Sequence, residues 1–427
     1  MLDLKLIREA PDRVRAALER RGKPEVLAAL DELLALAERR VAVIPQVDGL
    51  RAERNEVSPQ VGRLKQQGRH EEATPLIERM RAAGERLSAL EAEQAQIETR
   101  VRDLLLNLPN LPEAEVPAGT EAANVVVREW GPEPVFDFQP RPHWELGEEL
   151  GILDLVRGTK ITGSGFPVYV GAGARVERAL INLMLDMHTG EHGYTELAPP
   201  FLVNETSALG TGHLPKFADD MYFVSEDRLY LVPTAEVPVT NMHAGEVLSP
   251  DAMPKRYVAY TPCFRREAGA AGKDTRGILR VHQFDKVELL RFERAEASRA
   301  ALDELTGHAE AVLRRLGLRY RVVLLAGGDL GFANALTYDL EVWAPGVQRW
   351  LEVSSCSLYN DYQARRANVR YRPALGARPE FAHTLNGSGT GLPRTLIAVL
   401  ETGQQADGSV RLPPALAEYA RLERITR

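Results

Sequence analysis

Apolar residues follow two different rhythms along this chain. Between residues 25 and 106 a stripe recurs at three- and four-residue steps: Leu30, Leu34, Ala37, Val41, Ile44, Val47 and Leu50. After the break KQQGRHEEATP it resumes at Ile77, Met80, Gly84, Leu87, Leu90, Gln94, Ile97, Val101 and Leu104. A narrow stripe between charged positions predicts two helices packed antiparallel along their seams. About 40 residues per helix at ~1.5 Å rise predicts an arm of roughly 60 Å, too thin for a globular core, so it projects. Pro45 and Pro59 fall inside the first helix. Each removes a backbone donor, which predicts a kink or an interruption.

The second rhythm begins after NLPNLPEAEVPAGTEAANVVVREWG, whose prolines and scattered acids cannot continue a helix and read as a linker. Beyond it, short β-branched or aromatic runs (FPVYV, LYLV, RYRVVLLA, LTYDLEVWA, RWLEVSSCSLY) alternate with turns and with amphipathic helices near 174–193 and 296–316. Several connections are too short for helical crossovers. The expected fold class is therefore α+β: a mainly antiparallel sheet flanked by helices, with the helical arm before it. The expected domains are 1–106 (arm about 25–106), a linker at 107–120, and a body at 121–427.

Composition narrows the function classes. The 427 residues are 44% hydrophobic and 26% charged, with net charge -7, so nucleic-acid contact must come from local basic clusters. One such cluster lies toward the tip of the arm: Arg51, Arg54, Arg63, Lys65, Arg69, Arg79, Arg81 and Arg86, interleaved with glutamates. It suits either a solvated coiled-coil surface or a phosphate-contacting arm. Cys263 and Cys356 have no metal-ligand spacing and are too few for a disulfide framework, which suggests a reducing compartment. The first residues mix acids with bases and carry no apolar run, unlike a signal peptide, and no stretch approaches a membrane span. A cytoplasmic location is expected.

Candidate chemistry gathers in the body. In CFRREAGAAGKDTRGILRVHQFDKVEL, residues 263 to 289, a hairpin could bring Arg265 and Glu267 onto one face with His282, Phe284, Lys286 and Glu288. Such a face offers a guanidinium for phosphate and a ring for a purine. The hairpin lacks the phosphate-loop signatures of other nucleotide-binding folds. LVPTAEVPV sets Thr234 and Glu236 two apart beside a proline. WLEVSSCSLYND carries Glu352 and Ser355, oxygen donors suited to Mg²⁺, but their spacing of three demands a bulge for joint ligation. FAHTLNGSGTGLPRTLIAVLE leads Asn386, Ser388 and several glycines into a helix with Arg394 in its first turn, where anions are favoured.

These segments resemble a known family. PCFRREAGAAGKDTRGILRVHQFDKVEL resembles motif 2 of the class II aminoacyl-tRNA synthetases, NGSGTGLPRTLIAVLE resembles motif 3, and HTGEHGYTELAPPFLV resembles the dimer-forming motif 1. With VPTAEVP, EVSSCS, the linker and the arm, the similarity is to the bacterial-type seryl-tRNA synthetases and covers essentially the whole chain in order.

The resemblance implies ATP-dependent attachment of L-serine to its tRNA through a seryl-adenylate, by a homodimer, with Mg²⁺ and no zinc. It leaves the serine-accepting selenocysteine tRNA open as a second substrate. By similarity Arg265 holds the α-phosphate and Glu267 the adenine amino group, while Val281 meets adenine through its backbone. Phe284 stacks on one face of the ring, and Arg394 covers the other while reaching the γ-phosphate. Glu352 and Ser355 hold magnesium, with Arg266, Val353 and Ser354 in the same ATP-binding segments. Thr234, Ala235 and Glu236 close over serine together with Arg265; Glu288 takes its ammonium group, and Asn386 and Ser388 line the pocket for its hydroxyl. The arm is implied to grip the long variable arm of the tRNA, although Pro45 and Pro59 depart from the family pattern. The loop 268–280 is expected to order over ATP or the tRNA acceptor end. A paralogous ligase loading a carrier protein would lack the arm, and a non-enzymatic coiled-coil protein would lack the arginine–carboxylate–phenylalanine set.

Overall fold

A computed structural model of the chain describes residues 1–268 and 276–427, so most of the loop 268–280, and the expectation about its ordering, lies outside the described residues. The described residues form two compact units: one contains Leu2–Glu19 and Lys23–Leu108, the other Met1, Arg20–Gly22 and Pro109–Arg427.

The first unit holds two short helices, α1 (Leu4–Glu9) and α2 (Pro11–Glu19), and two long ones, α3 (Pro24–Gln66) and α4 (His70–Asn107). Pro24 suits the first helical position because its missing N–H would be unbonded there anyway. The 43 residues of α3 span about 65 Å. The seam buries Leu30, Ala37 and Val47 against Leu87, Leu90, Ile97, Val101 and Leu104, as the stripe predicts. It also differs from the stripe. Val26, Leu33, Val43 and Val57 are buried, whereas Val41 is 46% exposed and Ile77 39%. Val41 sits one residue, about 100° of rotation, past the line that Val26 and Leu33 define.

The prolines do not produce the interruption that was one of the two expected outcomes. Neither Pro45 nor Pro59 interrupts α3, and Pro75 lies inside α4, so the break shrinks to Gln67–Arg69. All three prolines lie on exposed positions, away from the seam. Each forfeits a backbone bond, but packing of the apolar face, not local propensity, supplies most of a helix's stability.

The second unit is built on an eight-stranded sheet. Its strands in chain order are β1 (Val125–Trp130), β2 (Thr195–Leu197), β3 (Lys255–Phe264), β4 (Gln283–Glu293), β5 (Tyr320–Leu324), β6 (Leu336–Ala344), β7 (Arg349–Asn360) and β8 (His383–Gly391). They lie in the order β1-β5-β6-β7-β8-β4-β3-β2. Every neighbouring pair is antiparallel except β2 with β3. The α+β expectation therefore holds.

Helices α5 (Ala172–Gly190), α6 (Ser298–Arg315) and α7 (Leu392–Gly403) share the main core with the alternate strand residues Val287, Leu289, Cys356, Leu358 and Leu385. Strand parity turns the intervening residues, Glu288, Ser355, Ser357, Asn386 and Ser388, to the opposite face. In the same unit Arg21 is 2% exposed and donates to the carbonyls of Asn110, Leu330, Gly331 and Asn334. Burial lowers its pKa to about 10. Among the described residues no helix is long and apolar enough to cross a membrane.

Candidate active site

The polar face of the sheet borders a cavity of about 550 Å³. Arg265, Glu267, Val281, Phe284, Glu288, Thr234 and Glu236 line it, as do Glu352, Val353, Ser355, Asn386, Ser388 and Arg394. Four segments remote in sequence thus converge on one concave surface.

The hairpin reaches the cavity by a route that strand parity alone does not describe. Strand β3 ends at Phe264, so Arg265 and Glu267 are not on a strand, and Glu267 has a left-handed backbone with φ +52°. The pairing is prolonged by the Arg265 N–H, which donates to the His282 carbonyl at 2.8 Å. The Arg265 guanidinium stands 5.1 Å from the centre of the Phe284 ring, and its Nε donates to the Pro233 carbonyl at 3.3 Å. Glu267 accepts from Arg280 at 2.6 Å. His282, expected on the shared face, instead packs on Phe166, with its Nδ1 3.0 Å from the Arg265 carbonyl.

A bulge resolves the parity problem between Glu352 and Ser355. Leu340 pairs with Ser354 but Glu341 pairs with Glu352, so β7 carries one extra residue at Val353. Glu352 and Ser355 thereby return to one face, while Ser354 turns away and donates to the Ser388 carbonyl at 2.6 Å. Ser354 is thus not at the cavity. Neither is Ala235, which is fully buried in a separate apolar cluster. Arg266 also leaves it, its guanidinium 5.9 Å from the centre of the Tyr222 ring. Arg394 spans the cavity rim: Nη1 donates to the Glu352 carbonyl at 2.9 Å, lies 3.6 Å from that carboxylate, and Nε donates to the Leu279 carbonyl at 3.2 Å. Behind Ser355, in register with it on β6, lies Asp339. Its Oδ1 is closed off from solvent and has no hydrogen-bond partner.

At the inner end two carboxylates share a buried polar network. Glu288 is fully buried, paired with Lys286 and bonded by the Asn386 amide, and the Thr234 hydroxyl donates to it at 3.3 Å. Glu236 accepts from Gln363, and from the Asn386 amide at 3.4 Å. Tyr359 donates to the Asn386 side-chain oxygen at 2.7 Å, and Thr384 to that of Gln363 at 2.7 Å. Burial, then the neighbouring Glu288 charge, pushes the Glu236 pKa up to about 7. His213 also lines the cavity, and burial with nearby Arg265, Lys286 and Arg366 lowers its pKa to about 3, leaving it neutral.

Tyr359, Gln363 and His213 were missed as functional candidates from sequence, and Lys286 was placed on the hairpin face without a role. Lys286 carried a usable signal, since it alternates with Phe284 and Glu288. Gln363 carried none, because its position follows from a strand-to-helix turn far from the other groups.

On the arm, all eight candidate basic residues are exposed. Arg51 pairs with Glu91 at 2.8 Å, Arg69 with Glu72 at 2.5 Å and Arg79 with Glu53 at 2.5 Å, and Arg86 donates to Gln46 at 3.4 Å. Among the described residues Arg54, Arg63, Lys65 and Arg81 make no ion pair.

Known proteins share both units. Residues 1–112 match the Seryl-tRNA synthetase N-terminal domain family, and residues 222–403 match the tRNA synthetase class II core domain (G, H, P, S and T) family. The serine--tRNA ligase of Gemmatimonas aurantiaca is 53% identical over 98% of both chains. That of Thermomicrobium roseum is 55% identical over 98% of this chain and 93% of its own. The crystal structure of seryl-tRNA synthetase from Pyrococcus horikoshii complexed with ATP superposes with a TM-score of 0.94 at 36% identity, covering 100% of this chain and 99% of that one.

Proposed function

The chain belongs to the seryl-tRNA synthetase family, and from that premise we propose how its cavity carries out the family's reaction. The enzyme uses ATP to attach serine to tRNA through a seryl-adenylate. The observation that carries the assignment of roles is the convergence of Arg265, Phe284 and Arg394 with the buried Glu288 network in one cavity.

In the first step a serine carboxylate oxygen bonds to the α-phosphorus of ATP as the bond to the pyrophosphate oxygen breaks. The carboxylate is already ionised at neutral pH, so no general base is required. What the protein supplies is position and compensation of charge. Arg265 faces the α-phosphate, and its guanidinium is steadied by Phe284 and the Pro233 carbonyl. Phe284 and Arg394 enclose the adenine, and Glu267 reads its amino group. Glu288 takes the serine ammonium, competing with Lys286 for the same carboxylate. Asn386 and Ser388 meet the hydroxyl. Alanine or glycine would leave these buried groups unpaired, a stronger basis for refusal than a missing methylene.

Glu352 and Ser355, brought to one face by the bulge, are hard oxygen donors, and with the unpartnered Asp339 oxygen behind them they fit magnesium. The ion would neutralise charge on the triphosphate. In the second step a ribose hydroxyl at the tRNA 3′ end attacks the adenylate carbonyl and AMP leaves.

The exposed cations of the arm supply contacts to the tRNA backbone, with the unpaired Arg54, Arg63, Lys65 and Arg81 the readiest. The motif 1 segment, where Phe201 and Leu202 are 43% and 45% exposed, supplies the homodimer surface in a cytoplasmic enzyme. Domain limits of 1–106 and 121–427 joined by a linker remain our working division. ATP–pyrophosphate exchange across all twenty amino acids, followed by charging of bulk tRNA, tests the reading. Exchange with serine and charging of serine tRNA are expected; exchange with another amino acid, or transfer to a carrier protein, would overturn it.

A further inference from the structure

On the cavity side of β6, three residues follow the strand alternation: Thr337, Asp339 and Glu341. The outer two are satisfied within the sheet. Thr337 meets Ser357 at 3.0 Å and accepts from Asn334 at 2.7 Å, and Glu341 pairs with Arg321 at 2.5 Å. Asp339 between them has no cationic partner among the described residues. Across the β6–β7 register it stands opposite Ser355. Its Oδ1 is sealed from solvent and unpartnered. Its strongest charged neighbour is Glu352, which is also negative.

A free carboxylate oxygen facing a second carboxylate is an expensive arrangement for a protein to hold. The cost falls if a divalent cation lies between the two strands' oxygens. We infer that Asp339 is a positioning residue of the divalent-cation site: it accepts the hydrogen of the Ser355 hydroxyl, which leaves the Ser355 oxygen lone pairs turned toward the cation. The inference rests on the assignment of Glu352 and Ser355 as ligands. A hydroxyl that gives a lone pair to a cation must donate its hydrogen elsewhere, and the groups behind a metal's ligands commonly take that part. The bulge at Val353 is what makes the arrangement possible, since it sets Glu352, Ser355 and Asp339 on the same face.

The test compares wild-type enzyme with Asp339→Asn, which keeps the side chain's shape. Manganese(II) affinity is read by electron paramagnetic resonance with a non-hydrolysable ATP analogue present. The magnesium dependence of serine-dependent pyrophosphate exchange is measured in parallel. In the variant manganese affinity should fall by about tenfold or more, and the magnesium needed for half-maximal exchange should rise correspondingly. The KM for serine should stay near wild type, the metal-free Tm should hold or rise, and excess magnesium should restore the rate. Unchanged manganese affinity would overturn the inference. If the variant does not fold, a crystal of the wild-type enzyme with manganese and the analogue decides: Ser355 on the metal with its hydroxyl within hydrogen-bond distance of Asp339 supports it, and any other arrangement overturns it. A wild-type enzyme without serine-dependent exchange would sink the functional reading, while manganese affinity would still decide the role of Asp339.

Discussion

Arginine and glutamate pair in both units of this molecule, with different consequences. On the arm, Arg39 and Glu93 bridge α3 and α4 with side chains 51% and 33% exposed. In the body, Arg291 and Glu293 pair at 3% and 5% exposure, and Lys286 and Glu288 at 9% and 1%. Water screens the first kind, so its members exchange partners at little cost. The second kind has lost its water, so removing one partner strands a charge. The arm can therefore offer cations to a polyanion without being rebuilt, while the body holds a fixed set of charges ready for one small ligand.

The widest separation between the units should come from Arg265→Ala. Losing a preorganised donor at the reacting phosphate should lower serine-dependent pyrophosphate exchange by about 10² to 10³. Charging should fall in step, because no adenylate reaches the tRNA. Exchange at a near wild-type rate would remove Arg265 from its role.

Replacing Arg54, Arg63, Lys65 and Arg81 together by alanine should do the reverse. Exchange should persist, and charging at low tRNA should fall by roughly ten- to a hundredfold. The salt dependence of tRNA binding should flatten by about 0.9 in log–log slope for each duplex phosphate that is no longer neutralised, taking the double-stranded DNA value. Equal loss of exchange and charging would end the division of labour between the units.

Glu236 sharpens the contrast through pH. Its pKa in the fold, about 7, lies above the ordinary 4.5, so the native state holds the proton more tightly than the unfolded chain. The resulting stabilisation is complete below the ordinary value and is lost as pH rises through about 7. Measured without substrates, the Tm of wild type should drop relative to Glu236→Gln by several degrees between pH 5 and 8. A difference independent of pH would show that burial does not hold Glu236 protonated.

Much of this contrast was legible in the residues. Period-3.6 and period-2 patterns separate arm from body, and Thr234, Glu288, Asn386 and Ser388 meet as their segments suggested. Placing Glu352 and Ser355 together depended on a bulge whose extra residue, Val353, is an ordinary valine in an ordinary strand run. The reversed backbone at Glu267 was hidden in the same way, since nothing local announces a positive φ at glutamate. On the arm, a stripe read at every third or fourth position drifted to Val41, because alternative three- and four-residue steps diverge by a full residue within two turns. Proline reads locally as a breaker, yet α3 continues through Pro45 and Pro59 at exposed positions, where packing of the opposite face outweighs the lost bond and the ring's crowding of the preceding turn.

The smallest effect belongs to the exposed bridges of the arm, and it is the one most easily misjudged. Arg39 and Glu93 are well aligned, with Nε and Nη2 both donating to the carboxylate, the latter at 2.9 Å. Geometry alone would rank them among the stronger pairs in the chain. Their exposure argues otherwise, since each end is solvated when the other is removed and the seam beneath them is apolar. Replacing both by alanine should leave Tm, exchange and charging within error of wild type, at both low and high salt. A clear loss of Tm that salt abolishes would show that these bridges hold the arm together, and that the units differ less in their electrostatics than their exposures indicate.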